Sequence, residues 1–432
     1  MFEDRQRLYI GLAFTAGILL TLGYKDLYPD LERRFRAHRN RYRRRQSLLS
    51  SSKDHIALED RSDHDSNEPS PSTTREVDIK EGIESTIGNT PLIRIKSLSD
   101  FTGCEILAKA EFLNGAGNSP KDRVALNMIQ TAEEQGLLVP GRGDCIYEGT
   151  VGSTGISLAA IARARGYRAH ICMPSDQSPE KSSLLLKLGA TVERVPPVSI
   201  VSPSQFVNLA RARAAEHTAS PTTPGNGFFA DQFENPANYL AHLATTGPEI
   251  HAQCAGGLDA FVAGAGTGGT ISGVAMYLKP RVGGLKVVLA DPQGSGLYHK
   301  VKHGVMFSGT EREGTRRRHQ VDSIVEGIGV NRITANFAVG MELVDDAVRV
   351  GDAQALGMAR WLVERDGIFV GSSSAVNCVA AVKVAKQLGP GHRIVTILCD
   401  SGNRHLSKFW AEAGNIGDKD DADLEAILNM NP

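Results

Sequence analysis

The stretch DAFVAGAGTGGTISG, residues 259–273, indicates the fold class, because a strand-like run leads through a glycine-rich turn directly into a helix-like run. Glycines in such a turn allow backbone N–H groups to converge on an anion, and the positive end of the helix dipole favours negative charge there. Thr267 and Thr270 add hydroxyl donors. The stretch lacks the GxxxxGKS or GxxxxGKT pattern of nucleotide loops. It therefore predicts a phosphate cradle, with a purely structural turn as the alternative.

The same alternation of strand-like and helix-like segments continues on both sides of this stretch. The strand-like runs include LIRI (92–95), EILAKAE (105–111), RAHICMP (168–174), TVERVP (191–196), DAFVAG (259–264), KVVLAD (286–291) and RIVTILCD (393–400). Among the helix-like stretches, KDRVALNMIQTAEEQG (121–136) has apolar residues at three-and-four spacing and ends on Gly136. A strand followed by a helix, repeated, predicts an α/β fold with parallel sheets flanked by helices. Sites should then lie at the carboxyl ends of the strands.

Length and composition set broad limits on the protein. A chain of 432 residues, 41% of them hydrophobic, can bury one large core or two ordinary ones, which predicts a two-lobed body. The net charge of −1 means that the chain as a whole lacks the excess of basic residues typical of nucleic-acid-binding proteins. Six cysteines are widely spaced, without a CxxC pair or a nearby histidine at metal-ligand spacing. We therefore expect reduced, mostly buried thiols, and neither a metal site nor a disulfide framework.

The N-terminal region differs from the rest of the chain. Residues 8–24 are apolar and near the lower length limit for a membrane-spanning helix, and residues 31–45 hold eight arginines against one glutamate. Since the basic block follows the apolar run, a retained single-pass anchor is favoured over a cleaved presequence, with its C-terminal side in the cytosol. We predict a membrane anchor with a basic flank over residues 1–45, a disordered linker over 46–76 and a folded body over 77–432. The span resembles anchors of the mitochondrial outer membrane, with the endoplasmic reticulum as the alternative.

A lysine stands at the mouth of the helix-like stretch in NSPKDRVA, residues 118–125. Lys121 faces the positive end of the helix dipole, which lowers the pKa of its amine and favours the neutral form that attacks carbonyl groups. A surface lysine paired with Asp122 is the alternative. A nucleophilic lysine together with a phosphate cradle in an α/β body is what pyridoxal phosphate needs.

Nine ordered blocks between about residues 84 and 408 carry a resemblance to a known family. They read IGNTPLIRI, NSPKDRVALNMI, EGTVGSTGISLA, QFENPANY, TTGPEI, GAGTGGTISG, EGIG, GIFVGSSSA and DSGNRHLS. The chain resembles the cysteine synthase (O-acetylserine sulfhydrylase) and cystathionine β-synthase family of pyridoxal-phosphate enzymes, and within it a membrane-anchored fungal group. The resemblance implies the tryptophan synthase β-like fold type II, with a smaller mobile lobe at about 125–230, a larger lobe from 77–124 and 231–415, and a homodimer.

The resemblance also implies a role for each matching residue. Lys121 matches the lysine that binds pyridoxal 5'-phosphate covalently and moves the substrate Cα proton, Ser373 matches the serine that faces the pyridine nitrogen, and Ser153 matches a residue that contacts the cofactor ring. The residues matching the phosphate-binding loop are Gly266, Thr267, Gly268, Gly269 and Thr270. Those matching the groups around the substrate carboxylate are Thr150, Val151, Gly152, Thr154 and Gln232.

The implied reaction is replacement at Cβ, in which sulfide displaces acetate from O-acetyl-L-serine to give L-cysteine. A neutral serine at the pyridine nitrogen makes loss of a β leaving group relatively easier. A serine-using cystathionine β-synthase or a serine/threonine dehydratase is the alternative enzyme, although about 25 residues follow DSGNRHLS and leave no room for a regulatory module. A binding or regulatory protein that keeps the fold but catalyses weakly is the alternative from another class.

Two residues depart from the TSGNTG loop that is usual in the family, since residues 150–155 here read TVGSTG. Val151 removes a hydroxyl donor, and Ser153 is shorter than the asparagine that binds the cofactor's 3'-oxygen. A lost hydrogen bond to a charged group costs about 1.5–3 kcal/mol, so weaker substrate binding is expected. Residues 304–329 form a long segment with Arg316–Arg318, expected to be a solvated loop or, alternatively, a contact for an anionic substrate or partner.

Overall fold

The computed structural model describes residues 79–255, 257–307, 323–414 and 423–431. The predicted anchor (1–45), the predicted linker (46–76) and Arg316–Arg318 lie outside the described residues. No helix within the described ranges combines the length and the apolar character that crossing a bilayer requires.

Two sheets organise the part of the chain that the structure describes. Their strands are β1 (Leu92–Arg94), β2 (Glu105–Ala110), β3 (Cys145–Gly149), β4 (Arg168–Pro174), β5 (Thr191–Val195), β6 (Gly227–Phe229), β7 (Ala260–Gly264), β8 (Lys286–Pro292), β9 (Asp346–Val350) and β10 (Arg393–Leu398). One sheet has the order β1-β2-β10-β7-β8-β9 and the other β5-β4-β3-β6. The β1–β2 pair is antiparallel, and the other strand pairs named in these two orders are parallel.

Helices connect the strands and cover the sheets. They are α1 (Lys96–Thr102), α2 (Lys121–Glu134), α3 (Ser153–Ala164), α4 (Pro179–Lys187), α5 (Phe206–Ala219), α6 (Ala237–Ala241), α7 (Gly247–Gln253), α8 (Gly269–Leu278), α9 (Leu297–His303), α10 (Ala335–Ala338), α11 (Asp352–Asp366), α12 (Ser372–Leu388), α13 (Phe409–Ala413) and α14 (Leu424–Asn429). Short 3-10 turns lie at Ile83–Thr86, Glu111–Leu113, Met341–Leu343 and Gly402–Arg404, and a π turn at His242–Thr246 joins α6 to α7.

The six-stranded sheet is buried on both faces, as its near-continuous apolar strands predict. In β2, Ile106 and Ala108 pack into the core that includes α12, whereas Leu107 packs into the core that includes α8. Successive side chains of a strand point to opposite faces, so each strand contributes to two cores. The prediction of an α/β fold with parallel sheets covered by helices is confirmed.

The six cysteines are free thiols, and five of them are buried. Burial raises the pKa of Cys145 and of Cys399 to about 11, so both thiols are protonated at neutral pH. In this protonated form, Cys145 and Cys399 pack as small, weakly polar side chains within the fold.

Candidate active site

A cavity of about 1380 Å³ lies at the carboxyl ends of strands from both sheets. Loops that follow β3, β7 and β10 reach it, together with the start of α2. All the site residues predicted from the sequence line this cavity except Gly152 and Gly269, which precede α3 and begin α8, respectively. The fold thus brings together side chains that lie more than 250 positions apart, from Lys121 to Ser373.

Lys121 is the first residue of α2, after the N-cap Pro120. Its side chain reaches the cavity wall, and within the described residues its amine forms no hydrogen bond. Burial is the largest influence on this group and lowers its pKa below the ordinary lysine value, while Cys399 and Asp400 act in the opposite direction. The shift agrees in direction with the expectation from the helix dipole, and its main cause is desolvation. An unpaired amine of this kind is suited to nucleophilic attack on a carbonyl group.

The glycine-rich loop after β7 runs into the first turn of α8, whose backbone N–H groups have no intrahelical acceptors. Gly268 has φ +82°, and a Cβ there would lie 2.4 Å from Cβ of Phe337. At Gly266 a Cβ would lie 2.2 Å from the Gly327 carbonyl oxygen. These two positions therefore require glycine, and the loop leaves its N–H groups facing the cavity as an anion cradle.

Two threonines of this loop are held by neighbouring side chains. The Thr267 hydroxyl accepts a hydrogen bond of 2.8 Å from Nδ2 of Asn238. The Thr270 hydroxyl lies 3.1 Å from Nε2 of His242, whose pKa burial lowers well below the ordinary value. His242 is therefore neutral at pH 7, so it fixes the cradle without adding a cation to it.

Ser373 lies in the first turn of α12 and is 6% exposed. Its hydroxyl is beside the Cys399 thiol. Asn377, one turn further along α12, donates to the Ile397 carbonyl at 2.8 Å and accepts from the Gly264 N–H at 2.8 Å. The same asparagine thus ties the ends of β7 and β10 together and keeps Ser373 at the cavity wall.

The loop after β3 carries the residues expected around the substrate carboxylate. The Thr150 N–H donates to the Cys172 carbonyl at 3.0 Å, and its hydroxyl accepts from the Gly152 N–H at 3.2 Å. The Thr154 hydroxyl donates to Oε1 of Gln232. These contacts hold hydroxyl and amide groups at one wall of the cavity, where they can bind an anion.

The two unusual residues of this loop have different surroundings. Ser153 begins α3, and its hydroxyl lies 3.5 Å from Oδ2 of Asp400, at the limit of a hydrogen bond. Val151 lines the cavity with an apolar side chain. The loop therefore presents less hydrogen-bonding capacity than a serine and an asparagine would supply at these positions.

Glu148 is a buried carboxyl group beneath this loop that sequence reasoning missed. The Gln232 N–H donates to Oε2 of Glu148 and the Gln232 amide nitrogen to Oε1, both at 3.3 Å. Burial, with a contribution from Asp231, raises the pKa of Glu148 to about 8. The group is consequently protonated at neutral pH and orients Gln232 without placing a negative charge beneath the expected carboxylate site.

The raised pKa of Glu148 predicts a pH-dependent stability. The carboxyl ionises near pH 4.5 in the unfolded chain but near pH 8 in the folded protein, so the folded state binds more protons between these values. Its contribution to the free energy of unfolding is complete below pH 4.5 and is lost as the pH rises to about 8, by at most about 1.4 kcal/mol per pH unit. In urea unfolding, the free energy of unfolding of Glu148→Gln relative to that of wild type should increase as the pH rises through this window, and should be constant outside it. Parallel curves for the two proteins would contradict the assignment.

A cluster of charged side chains, missed by sequence reasoning, joins the two sheets beside the cavity. Lys181 of α4 pairs with Glu326, which also lies 3.3 Å from Nζ of Lys408 and 3.7 Å from Nδ1 of His405. Nε2 of His405 lies 3.2 Å from both oxygens of Asp400. Although burial opposes ionisation, His405 and neighbouring cations lower the pKa of Asp400 to about 2. The blocks EGIG and DSGNRHLS contain three of these residues, but the spacing in the sequence does not indicate that they meet.

A second buried charge cluster holds the start of α2. Nε and Nη2 of Arg123 donate to the two oxygens of Glu111, both at 2.8 Å, and its Nη groups donate to the two oxygens of Glu249 at 2.6 and 2.8 Å. Nζ of Lys109, which is fully buried, pairs with Glu249 at 2.6 Å. Because Arg123 is two residues from Lys121, this cluster fixes the helix turn that presents the amine.

These groups match the needs of a phosphorylated aldehyde that contains a pyridine ring. The cradle at Gly266–Thr270 can hold a phosphate, the unpaired Lys121 amine can bond an aldehyde, and the Ser373 hydroxyl can face a ring nitrogen. The donor set is therefore that of a pyridoxal-phosphate site.

Comparison with known proteins gives the same result. Residues 83–400 match the family model described as pyridoxal-phosphate dependent enzyme. Cysteine synthase 2 of Emericella nidulans is 64% identical, with 99% of this chain and 98% of that protein covered. Cysteine synthase 2 of Neurospora crassa is 62% identical, with 98% and 96% covered. The crystal structure of O-ureido-L-serine synthase superposes with a TM-score of 0.67 at 31% identity, covering 81% of this chain and 99% of that one. The chain belongs to the family of pyridoxal-phosphate dependent enzymes.

Proposed function

We propose that the enzyme makes L-cysteine from O-acetyl-L-serine and sulfide and releases acetate. The observation that carries the proposal is the unpaired Lys121 amine, which shares one cavity with the anion cradle at Gly266–Thr270 and the hydroxyl-rich loop at 150–154. The relatives named Cysteine synthase 2, which are 62–64% identical over nearly the whole chain, support this choice among the reactions of the family.

The residues of the chain divide the work as follows. Bound pyridoxal phosphate supplies an electron sink that lets the amino-acid substrate lose its Cα proton and its β substituent. Thr150, Thr154 and Gln232 bind the substrate carboxylate, which orients the Cα–H bond toward Lys121. The Lys121 amine, whose pKa is lowered by burial, accepts the Cα proton and returns it after sulfide has replaced acetate.

Ser373 explains why the site favours elimination and replacement at Cβ over reactions that need a fully delocalised carbanion. A hydroxyl can donate or accept a hydrogen bond at a pyridine nitrogen, but it does not hold that nitrogen protonated as a carboxylate would. Asp400, a nearby ionised carboxylate, pairs with His405 and so is not the group assigned to the pyridine nitrogen. The site therefore favours expulsion of a good leaving group from Cβ.

The choice of substrates can be tested by comparing product formation in three separate reaction mixtures. Purified enzyme receives either O-acetyl-L-serine with sulfide, L-serine with homocysteine, or L-serine alone. We expect cysteine and acetate in equal amounts from the first mixture, at a rate well above the formation of cystathionine or of a 2-oxo acid from the others. Faster cystathionine formation would favour a cystathionine β-synthase, and absence of any product would favour the binding or regulatory alternative.

The loop at 150–154 gives a prediction on affinity. The double variant Val151→Ser/Ser153→Asn adds a hydroxyl and a longer amide where the present side chains are apolar and short, respectively. One regained hydrogen bond to a charged group is worth about 1.5–3 kcal/mol, so KM for O-acetyl-L-serine should fall by roughly tenfold or more. An unchanged or higher KM would mean that the loop is shaped for another substrate.

We further propose that residues 1–45 anchor the enzyme in the mitochondrial outer membrane, with the catalytic body in the cytosol. The apolar run at 8–24 and the arginine block at 31–45 support this proposal. Alkaline carbonate extraction of isolated mitochondria should leave the full-length protein in the membrane pellet, and external protease should remove the body. Release by carbonate, or recovery in the endoplasmic reticulum, would refute the respective part of the proposal.

A homodimer is also proposed, on the strength of the family resemblance. Light scattering of the detergent-solubilised enzyme should give a protein mass of about twice the 46.4 kDa of one chain. A mass near that of one chain would contradict it.

A further inference from the structure

Three metal-ligating side chains of different chemistry meet on the α5 side of the four-stranded sheet, outside the lining of the active-site cavity. Although the cysteine pattern led us to expect no metal site, His170 and Cys172 are two positions apart on β4, so their side chains share one face of the sheet. Glu193 lies on β5 directly opposite Cys172. Their ligand atoms all lie within 4.8 Å of one another.

We propose that His170, Cys172 and Glu193 form a site for a thiophilic divalent cation, with Zn²⁺ as the best match. Nε2 of His170 lies 3.2 Å from Oε2 of Glu193, and Sγ of Cys172 lies 4.0 Å from the same oxygen. Tetrahedral Zn²⁺, with bonds of about 2.0 Å to nitrogen and oxygen and about 2.3 Å to sulfur, needs about 3.3 and 3.5 Å for these separations. The third separation, between the imidazole nitrogen and Sγ, is within 4.8 Å, so side-chain rotations are needed to close the site, and a water would supply the fourth ligand.

The neighbouring side chains suit such a site. Arg213 of α5 donates to both oxygens of Glu193, at 2.9 and 3.1 Å, as an outer partner that orients a ligating carboxylate. The His170 ring stacks on Tyr147, with ring centres 5.0 Å apart, which fixes its plane. The Glu193 side chain is 29% exposed, and that exposure gives a cation a route from solvent.

The protonation states are those that a metal requires, with one exception. Burial lowers the pKa of His170, so the imidazole is neutral at pH 7, and hydrogen bonds from Arg213 lower the pKa of Glu193, so the carboxylate is charged. Burial raises the pKa of Cys172 to about 12, and its thiol is protonated when no metal is bound. A thiol must lose its proton to ligate Zn²⁺.

The site lies directly behind the substrate loop. The carbonyl of Cys172 accepts the hydrogen bond from the Thr150 N–H, so a metal at Cys172 would restrain the strand that holds Thr150. The metal site itself does not depend on the proposed reaction, because none of its three side chains lines the cavity.

Cobalt provides the sharpest test, because tetrahedral Co²⁺ bound to a thiolate has visible bands at longer wavelength than the cofactor. Full-length holoenzyme, stripped of metal and kept reduced, should develop these bands with one equivalent of Co²⁺ and lose them when Zn²⁺ is added. Cys172→Ser should abolish the bands and weaken Zn²⁺ binding at least about a hundredfold, since loss of an outer partner alone costs 10–100-fold. Cys254→Ser, which changes another buried thiol, should retain both properties.

His170→Gln provides a second variant, since its side chain is 18% exposed and its loss is less disruptive should Cys172→Ser fail to fold. It should weaken Zn²⁺ binding to a similar degree. The proposal is overturned if wild type gives no tetrahedral Co²⁺ spectrum, or if both variants bind Zn²⁺ as tightly as Cys254→Ser.

Discussion

Replacement of Lys121 by alanine is expected to abolish the visible absorbance of lysine-bound cofactor and to lower the rate of cysteine formation by at least about 10³-fold. The reason is that Lys121 both forms the bond to the cofactor and transfers the Cα proton. Proton transfer by a positioned side chain alone increases the reaction rate by about 10²–10⁴-fold. Its unpaired, partly desolvated amine is the physical basis of both roles. Absorbance spectra and initial rates with O-acetyl-L-serine and sulfide measure the two effects.

Lys187→Ala serves as the matched control, because Lys187 is exposed at the end of α4 and does not line the cavity. It should keep the spectrum and the rate of wild type. If Lys121→Ala retained the absorbance band and more than about a tenth of the activity, the assignment of Lys121 would be wrong.

Replacement of Arg123 by methionine is expected to lower the free energy of unfolding by about 3–5 kcal/mol, because removal of one member of a buried ionic cluster leaves uncompensated charge. Arg123 is 3% exposed and holds the carboxylates of Glu111 and Glu249 with bidentate hydrogen bonds. Lys109 would remain to neutralise one of the two carboxylates. Urea unfolding of the holoenzyme measures the loss.

Two further variants separate this mechanism from a general loss of packing. Arg94→Met removes an arginine from a surface pair with Asp100, where the side chains are 45% and 69% exposed, and should cost less than about 1 kcal/mol. The double variant Glu111→Gln/Arg123→Met should be more stable than Arg123→Met alone, since it removes the buried carboxylate that would lose its ion-pair partner. A double variant that is less stable than the single one would argue against stranded charge as the cause.

Local patterns in the sequence account for much of the fold. The helix over 121–136 and the strand at 168–174 follow from hydrophobic periodicity and from the glycines that end each element; α2 ends at Glu134 and β4 spans Arg168–Pro174. The strands β6 and β9 were missed, because GFF is only three residues long and DAVRV contains two charged residues among its five. The order of the sheet, with β10 between β2 and β7, depends on pairings across more than 100 residues that local patterns do not encode.

The site residues also divide into those that local patterns predict and those that depend on contacts between distant parts of the chain. Lys121 and the glycine loop could be found from local patterns, because a helix start marks the first and a strand-to-helix turn marks the second. Ser373 was found through the family resemblance of the block GIFVGSSSA. Glu148 could not, because its role depends on contact with Gln232, 84 positions away. Likewise, Glu326 and His405 could not be linked from the sequence, because only the fold places Glu326 beside both Lys181 and His405. Motifs therefore identify the groups expected to contact the cofactor, and the fold reveals the buried charged groups that support them.

The most direct test of the central claim is to locate the covalent bond between the cofactor and the chain. Borohydride reduction of the holoenzyme makes this bond permanent, and mass spectrometry of the peptides then identifies the modified lysine. We predict a single pyridoxyl-phosphate group on Lys121. A group on Lys109, Lys181 or any other lysine, or no modified peptide at all, would contradict the account.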